Sequence, residues 1–577
     1  MPTPSTSGFQ VTGNNPNALF TLKIHRGDGM CLLAMNWKKG QPSADFVGFA
    51  IEYKEPDGQK FFALKNGLTF TGADPTEPNR LSSLRSPFQK FRWVHFPRNA
   101  NMDGEFLYRV TPVFMNVPGE LSHGEPQEAA LELRRDTYPG KINVAYSRGF
   151  VSSQAFVDYY QKDGEDISML IPADAKDGLT FTPTHSKKDE AYKWMGFEAR
   201  EIILDLLDSA IKDKKAKVSV IAYDLNEPEI VKRLEALGDR LRILIDDDGA
   251  HGETGSGENQ AATRLRKTAG NSNVKRQHMG KLQHNKVIIV DGTKTNAVIC
   301  GSTNFSWRGV YVQANNAVEI KGNKAVTVFS EAFENYWKNK NVVKDFGNTN
   351  SSVWNDLTIY GIDMKVSFSP HISSNALLES IADDLDKNIK SSLFYSLAFL
   401  YQTPGVINDA INKATNDSSI FVYGISDKRN GGIVLQKPDG NLSPVSPSAL
   451  TNKNTPEPFK SEPTGGSGVR MHHKFVVIDF DKPTARVYLG SYNFSKTADT
   501  SNGENLLLIK DRRIAVSYMI EALRIFDHYH FRIKQNDAEN GLEKLELKKP
   551  PQNSGEVEWW KEYYNDNHRI QDRKLFA

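Results

Sequence analysis

One block of residues occurs twice in this chain, and both copies carry the same reactive side chains in the same order. The first copy reads His284-Asn-Lys286-Val-Ile-Ile-Val-Asp291, followed by Gly301-Ser302-Thr-Asn304-Phe-Ser306. The second reads His472-His-Lys474-Phe-Val-Val-Ile-Asp479, followed by Gly490-Ser491-Tyr-Asn493-Phe-Ser495. His, Lys and Asp each recur after 188 residues, the Gly-Ser-x-Asn segments after 189. One match of this kind arises by chance in a long chain; two complete ones do not. The surroundings repeat as well. Phe181-Thr-Pro183 and Phe368-Ser-Pro370 open the two copies, followed by amphipathic helices near 198–210 and 375–386. Apolar strands follow at 218–222 and 393–397, then a second helix and strand in each copy. Alternating strands and helices in two copies predict an α/β fold of two similar βα-sandwich halves packed as a pseudo-dimer.

Alternation along a strand puts His284 and Lys286 on one face, and His472 and Lys474 likewise. Each Gly-Ser turn returns a hydroxyl and an amide toward the same strand end. Two imidazoles, two ammonium groups, two amides and two hydroxyls are an inventory for holding a phosphate. The chemistry needs them for definite reasons. A phosphodiester is anionic, so Lys286 and Lys474 must neutralise it before a nucleophile approaches. A histidine titrating near about 6.5 serves as nucleophile or acid at neutral pH. One imidazole attacks phosphorus, the other protonates the leaving oxygen, and the second then activates water or an alcohol. An attacking imidazole also needs its other nitrogen held by an acceptor, which fixes the tautomer. Glu504, shortly after the second Gly-Ser block, is a candidate for that task. The first copy has Asn315 at the same offset, with Glu319 as its nearest carboxylate.

Both blocks resemble the HKD motifs of the phospholipase D superfamily, over roughly residues 140 to 535. That resemblance implies metal-independent phosphodiester cleavage through a covalent phosphohistidine, with no cofactor and no metal ligands. It implies His284 as nucleophile and His472 as general acid and base. Lys286, Lys474, Asn304 and Asn493 would hold the phosphate, with Ser302 and Ser491 nearby. Asp291, Asp479, Gly301 and Gly490 would be structural. The gaps between Asp and Gly-Ser are longer here than in the usual pattern, which predicts longer hairpin turns. The expected activity is hydrolysis of phospholipid headgroups, with transphosphatidylation to added alcohols, on a membrane or micelle surface. The alternative is a metal-independent endonuclease acting on nucleic acid. A silent binding protein is disfavoured by the complete, duplicated reacting set. With both motifs in one chain, a monomer is expected.

Before the repeat, short alternating strands such as 20–24, 46–53 and 106–114 predict an all-β sandwich. Trp37 and Tyr108 resemble the core Trp and Tyr of a fibronectin type III-like module. The expected organisation is a flexible N-terminus over 1–17, the sandwich over 18–138, halves over 139–350 and 351–540, and a tail over 541–577. With 577 residues, several domains are required. A formal charge of +2 supplies no global field toward polyanions, so basic surface must be local. Arg264, Arg266, Lys267, Lys275, Arg276 and Lys281 form such a cluster. Two cysteines, Cys31 and Cys300, exclude a disulfide framework. No signal peptide or transmembrane run is visible, which predicts a cytoplasmic protein or export by a non-standard route. The polar stretches 246–280 and 426–468 are expected to be lids over the site. Trp559 and Trp560 are expected to dock the tail, and His473, on the face opposite His472, to be structural.

Overall fold

The structure, a computed structural model, describes residues 8–577 apart from 75, 98, 117–118, 134–135, 150–155, 157–158, 162–163, 340, 401–404, 428–432, 438–441, 446–470 and 540–544. The chain divides into two compact units. One comprises Met1–Arg135, Met519–Asp527 and Ile533–Ala577; the other comprises Asp136–Tyr518 and His528–Arg532.

The first unit carries β1 (Gln10–Thr12), β2 (Phe20–Arg26), β3 (Cys31–Trp37), β4 (Phe46–Lys54), β5 (Phe62–Ala63), β6 (Arg92–His95), β7 (Glu105–Met115), β8 (Leu121–His123) and β9 (Gln127–Glu132). They form two antiparallel sheets, β1-β2-β3-β6 and β5-β4-β7-β8, with β9 also on β7. Phe20, Leu22 and Ile24 alternate inward from β2, and Phe106, Tyr108 and Val110 from β7, into one shared core. Trp37 and Tyr108 both belong to that core. Gln10–Thr12 pair with β2, so this part of the expected flexible terminus is strand. In the tail, Trp559 enters the same core, donating from Nε1 to the Phe46 carbonyl at 3.0 Å and stacking on Phe91 at 5.4 Å.

The second unit holds two mixed sheets. The first contains β10 (Ile142–Tyr146), β11 (Lys217–Ala222), β12 (Leu241–Ile245), β13 (Val274–Arg276), β14 (Lys286–Asp291), β15 (Asn296–Gly301) and β16 (Asn316–Lys321). Its order is β10-β16-β15-β14-β11-β12-β13. The second contains β17 (Asn355–Asp356), β18 (Asp363–Ser369), β19 (Ser392–Leu397), β20 (Phe421–Asp427), β21 (Ile433–Gln436), β22 (Leu442–Val445), β23 (Lys474–Ile478), β24 (Arg486–Gly490) and β25 (Glu504–Lys510). Its order is β17-β18-β25-β24-β23-β19-β20-β21-β22. The run β10-β16-β15-β14-β11-β12 therefore recurs as β18-β25-β24-β23-β19-β20. In each, only the β11–β12 and β19–β20 pairs of this run are parallel.

Parallel neighbours need a crossover, and helices supply it. In the first half α1 (Lys188–Lys212) precedes β11, and α2 (Pro228–Leu237) links β11 to β12. In the second, α3 (Gly257–Ala269) having intervened, the equivalents are α4 (Leu378–Lys387) and α5 (Val406–Asn416). The reason α2 forms is local. Glu227 caps it by accepting from the Ile230 amide at 2.7 Å, and Pro228 opens the first turn. Its Ile230, Val231, Leu234 and Leu237 make one buried stripe, each such side chain contributing about 1.5–3 kcal/mol. The motif strands β14 and β23 lie mid-sheet, and Val287–Val290 and Phe475–Ile478 are buried without alternation.

Three sequence expectations need correcting here. The first copy opens at β10, the equivalent of the β18 strand that contains Phe368, and not at Phe181; residues 181–185 form no regular element. Segment 246–280 is not an open lid, because α3 and β13 lie within it. Ala261, Ala262, Leu265 and Ala269 give α3 a narrow buried stripe, and the Ser256 hydroxyl caps it by accepting from Asn259 N at 3.2 Å. The small residues of that stripe make a weak hydropathy signal. Most of the second expected lid, 426–468, lies outside the described residues; within it β21 and β22 extend the sheet. Among the described residues no helix is long and apolar enough to cross a membrane.

Candidate active site

The two halves meet along matching edges. Isolated bridges join Gln283 to Gly503 and Ala314 to Met471, so each motif runs beside the strand-entry segment of the other half. The Gly503 amide donates to the Leu282 carbonyl at 2.8 Å, and the His472 amide to the Ala314 carbonyl at 3.2 Å. Strand pairing puts Lys286 opposite Ala222 and Lys474 opposite Leu397. Gly301 and Gly490 end the hairpins with φ of 141° and 143°. A Cβ there would sit 2.5 Å from the Asn316 carbonyl oxygen or 2.2 Å from that of Asn505, so only glycine fits.

This packing brings the imidazoles of His284 and His472 together, with ring centroids 6.3 Å apart and planes at 70°. They are 4% and 5% exposed, which leaves a narrow approach to both. Their Nδ1 acceptors cross between the halves. His284 Nδ1 lies 2.7 Å from Glu504 Oε2, and His472 Nδ1 lies 2.8 Å from Asn315 Oδ1. The Asn315 amide donates from Nδ2 to the Gly309 carbonyl, so its oxygen faces the ring and His472 donates. The same oxygen also accepts from the Ser302 hydroxyl at 2.9 Å. Asn502 Nδ2 donates to Glu504 Oε1 at 3.1 Å, and the Ser491 hydroxyl is a further partner of Glu504. The crossing continues one residue on: Asn505 Nδ2 donates to Asn285 Oδ1 at 2.8 Å, and Asn316 Nδ2 stands 3.3 Å from His473 Nδ1. His473 is fully buried and packs edge-on against Phe475.

Lys286 and Lys474 donate to the carbonyls of His284 at 2.5 Å and His472 at 2.9 Å, which fixes each ammonium beside its own imidazole. Burial, then the charges of Lys286 and Lys474, hold the His284 imidazole well below its usual range. His472 is pushed down by burial, then by Lys474 and Lys286. Burial lowers Lys286 to about 8 and pushes Glu504 up to about 7, the latter opposed by Lys286. Both rings are thus neutral at neutral pH, and a bound anion between them would favour protonating one. Asn304 and Asn493, at equivalent positions, each bury a side-chain oxygen that has no hydrogen-bond partner among the described residues. Asn316 and Asn505 share that feature while their Nδ2 atoms face His473 and Asn285.

Other expected residues lie elsewhere. Glu319 sits on β16 between Asn143 and Ile299, paired with Lys321 at 3.3 Å, and serves neither histidine. Asn315 orients the second-copy ring, not the first as expected. Asp479 is buried with φ of 54° and accepts from the amides of Lys390 and Ser391, each at 2.9 Å. Asp291 is exposed at its strand end; there Asp213 does the matching work, accepting from Lys294 N at 2.7 Å. Three of the six residues of the basic cluster are committed to internal partners. Arg264 chelates Glu235, Arg276 donates to the Asp246 and His251 carbonyls, and Lys275 to those of Trp337 and Asn339. Cys31 and Cys300 are both free and buried.

Sequence reasoning missed a group behind His284. The Tyr223 ring packs 4.7 Å from the His284 ring, and the Lys286 ammonium lies 4.6 Å over it. Asp246 Oδ1 accepts from the Gln283 amide at 2.6 Å, which pins the residue preceding the histidine. Tyr223 does not recur in the second copy, where the register puts Ala398, so the repeat gave no signal for it; Asp427 follows Ser426 as Asp246 follows Ile245.

A family model described as "Cardiolipin synthase, PLD-like domain" matches residues 203–337 and 444–526. The chain is 46% identical over 48 residues to a phospholipase D of Rickettsia prowazekii (strain Madrid E), and 44% over 48 residues to that of Rickettsia felis. Each match covers 8% of this chain and spans only 22% of the relative's length. Among solved structures, Nuc of Salmonella typhimurium, a phospholipase D family member, is 30% identical, covering 24% of this chain and 87% of that one with a TM-score of 0.20. The phosphatidylserine synthase of Haemophilus influenzae Rd KW20 is 13% identical, covering 65% of this chain and 92% of that one with a TM-score of 0.39. The chain belongs to the phospholipase D superfamily.

Proposed function

We propose that this protein is a phospholipase D-type phosphodiesterase that releases phospholipid headgroups through a phosphohistidine on His284. The observation that carries the reading is the pair of imidazoles 6.3 Å apart, each tethered at Nδ1 by the opposite half. In the first step the His284 Nε2 lone pair forms a bond to phosphorus. The phosphorus–oxygen bond to the headgroup breaks, and protonated His472 gives its Nε2 proton to that oxygen. In the second step neutral His472 takes a proton from water, whose oxygen attacks phosphorus, and the phosphorus–nitrogen bond breaks. A primary alcohol in place of water gives transphosphatidylation. Lys286, Lys474, Asn304 and Asn493 hold the non-bridging oxygens, and each well-placed acid or base contributes about 10²–10⁴-fold.

The two Nδ1 acceptors support this division of labour. Attack leaves His284 as a cationic phosphoimidazolium, and the Glu504 carboxylate stabilises that developing charge. His472 must both give and regain a proton, and the neutral Asn315 amide does not trap it in the charged form. We read the two sheets as halves of a pseudo-dimer running over about 139–350 and 351–540, with a fibronectin type III-like sandwich before them. Lipid is preferred over nucleic acid as substrate because Arg264, Lys275 and Arg276 are engaged internally, which leaves fewer free cations for a polyanion. The Rickettsia relatives bear the name phospholipase D, in keeping with that choice.

The test is to assay the purified full chain, with chelator, on phosphatidylcholine micelles and on single- and double-stranded DNA. Headgroup release without nicking is expected; nicking without release overturns the lipid reading. His284→Ala should abolish both turnover and covalent labelling. His472→Ala should still trap labelled protein when the leaving group needs no proton.

A further inference from the structure

Asp224, His251 and Glu258 stand together behind the Tyr223 ring, and the chemistry above gives them no task. We infer that they form a binding site for one divalent cation of the Mn²⁺ or Zn²⁺ type. The inference rests on donor geometry and is independent of the proposed activity.

One donor atom from each residue lies within 4.8 Å of the other two. His251 Nε2 is 3.0 Å from Asp224 Oδ1. Two ligands each about 2.1 Å from one ion, at right angles to each other, are about 3.0 Å apart. The remaining atoms of all three side chains are already oriented by other groups. His251 Nδ1 lies 2.8 Å from Asp246 Oδ2, and Asp246 is fully buried and fixed by the amides of Gln283 and Asp248. A ligating imidazole usually has its other nitrogen held by a carboxylate in this way. Asp224 Oδ2 accepts from the Ser306 hydroxyl at 3.2 Å, which leaves Oδ1 for an ion. Glu258 Oε1 accepts from the Leu225 amide at 3.0 Å.

With Oε1 engaged by the Leu225 amide, the second carboxylate oxygen of Glu258 is left for an ion. Glu258 is only 5% exposed, and no donor among the described residues reaches Oε2. Charge points the same way: three carboxylates surround a single imidazole, so even a protonated His251 leaves an anionic surplus. One imidazole with two carboxylates suits Mn²⁺ or Zn²⁺ better than Ca²⁺ or Mg²⁺, which prefer oxygen alone.

Position suggests what the ion would do. Tyr223 lies 4.4 Å from the His251 ring on one side and 4.7 Å from the His284 ring on the other. An ion at Asp224 would tie the exit of β11 to segment 251–258 and hold that aromatic wall against the reacting ring. The second half has no counterpart, because its register puts Ala398, Phe399 and Leu400 where Tyr223, Asp224 and Leu225 stand.

The full chain, stripped with chelator and dialysed, would be titrated calorimetrically with MnCl₂, ZnCl₂ and CaCl₂, and its melting temperature followed in parallel. One equivalent of Mn²⁺ or Zn²⁺ should bind and raise the melting temperature, with Ca²⁺ much weaker. Glu258→Gln keeps an acceptor for the Leu225 amide and should fold, yet lose that binding. Asp246→Asn should weaken it by about 10–100-fold. If the wild type shows no saturable heat and no shift with any of the three ions, an imidazolium held between Asp224 and Asp246 fills the place and the inference falls. It falls equally if Glu258→Gln and His251→Gln bind as the wild type does. Neither readout depends on turnover.

Discussion

Glu504 and Asn315 occupy equivalent places in the two halves but differ in charge, and their exchange should be visible kinetically. Glu504→Gln keeps the shape and removes the charge facing His284, so kcat should fall by about 10³–10⁴-fold, with KM changed far less. Asn315→Asp puts a carboxylate against His472 and raises the pKa of that ring. In the proposed first step His472 is protonated, so the alkaline limb of the kcat/KM profile should move to higher pH. An unmoved limb would remove His472 from the acid role. The same ring bears on stability. Its folded pKa is depressed by burial below the unfolded value of about 6.5, so the unfolded chain binds the extra proton. Stability from this group is therefore complete above about pH 6.5 and is lost as pH falls toward the folded pKa, by about 1.4 kcal/mol per unit. His472→Asn should flatten the denaturation slope below pH 6.5, as read by urea titration at several pH values.

Among elements, the hairpins ending in Gly301 and Gly490 tolerate no side chain at the glycine. Gly490→Ala would push a Cβ to 2.2 Å from the Asn505 carbonyl oxygen at a φ of 143°, a clash with backbone that no side-chain rotation relieves. A loss of more than about 2 kcal/mol is expected in urea denaturation, together with loss of turnover, since Ser491 and Asn493 follow directly. What the sequence made legible at this scale follows from periodicity. Val287–Val290 and Phe475–Ile478 read as buried strands and are so, and the doubled block marked the residues that meet. The crossing of acceptors was not legible, because strand register and sheet order bring Glu504 to His284 through contacts 220 residues apart in the chain. Asn315 was found by its offset but assigned to the wrong ring for that reason. The Tyr223 support of His284 left no trace, since the second copy has Ala398 at that place. Helix α3 was hidden because alanines bury little apolar area, and area is what a hydropathy pattern reports.

For the whole molecule, the proposed single reacting centre makes a stoichiometric prediction. Mixing His284→Ala chains with His472→Ala chains should restore no turnover, because every folded chain would contain one intact and one missing ring. Recovery to about a quarter or more of wild-type activity would show that halves exchange between chains and that the centre assembles in trans. The amino-terminal sheets, with Trp559 of the tail in their core, should tolerate no truncation before Trp559. Removal of residues 555–577 is expected to lower the melting temperature, measured by calorimetry.

The tethering of each ring by the other half turns distance into an on–off quantity. A hydrogen bond of 2.7 or 2.8 Å is forfeited by a parting of about one ångström, and here both would be forfeited together. Nothing would then hold either imidazole in its working tautomer. Any event that wedges the seam, from heat to a bound molecule, would release both rings together.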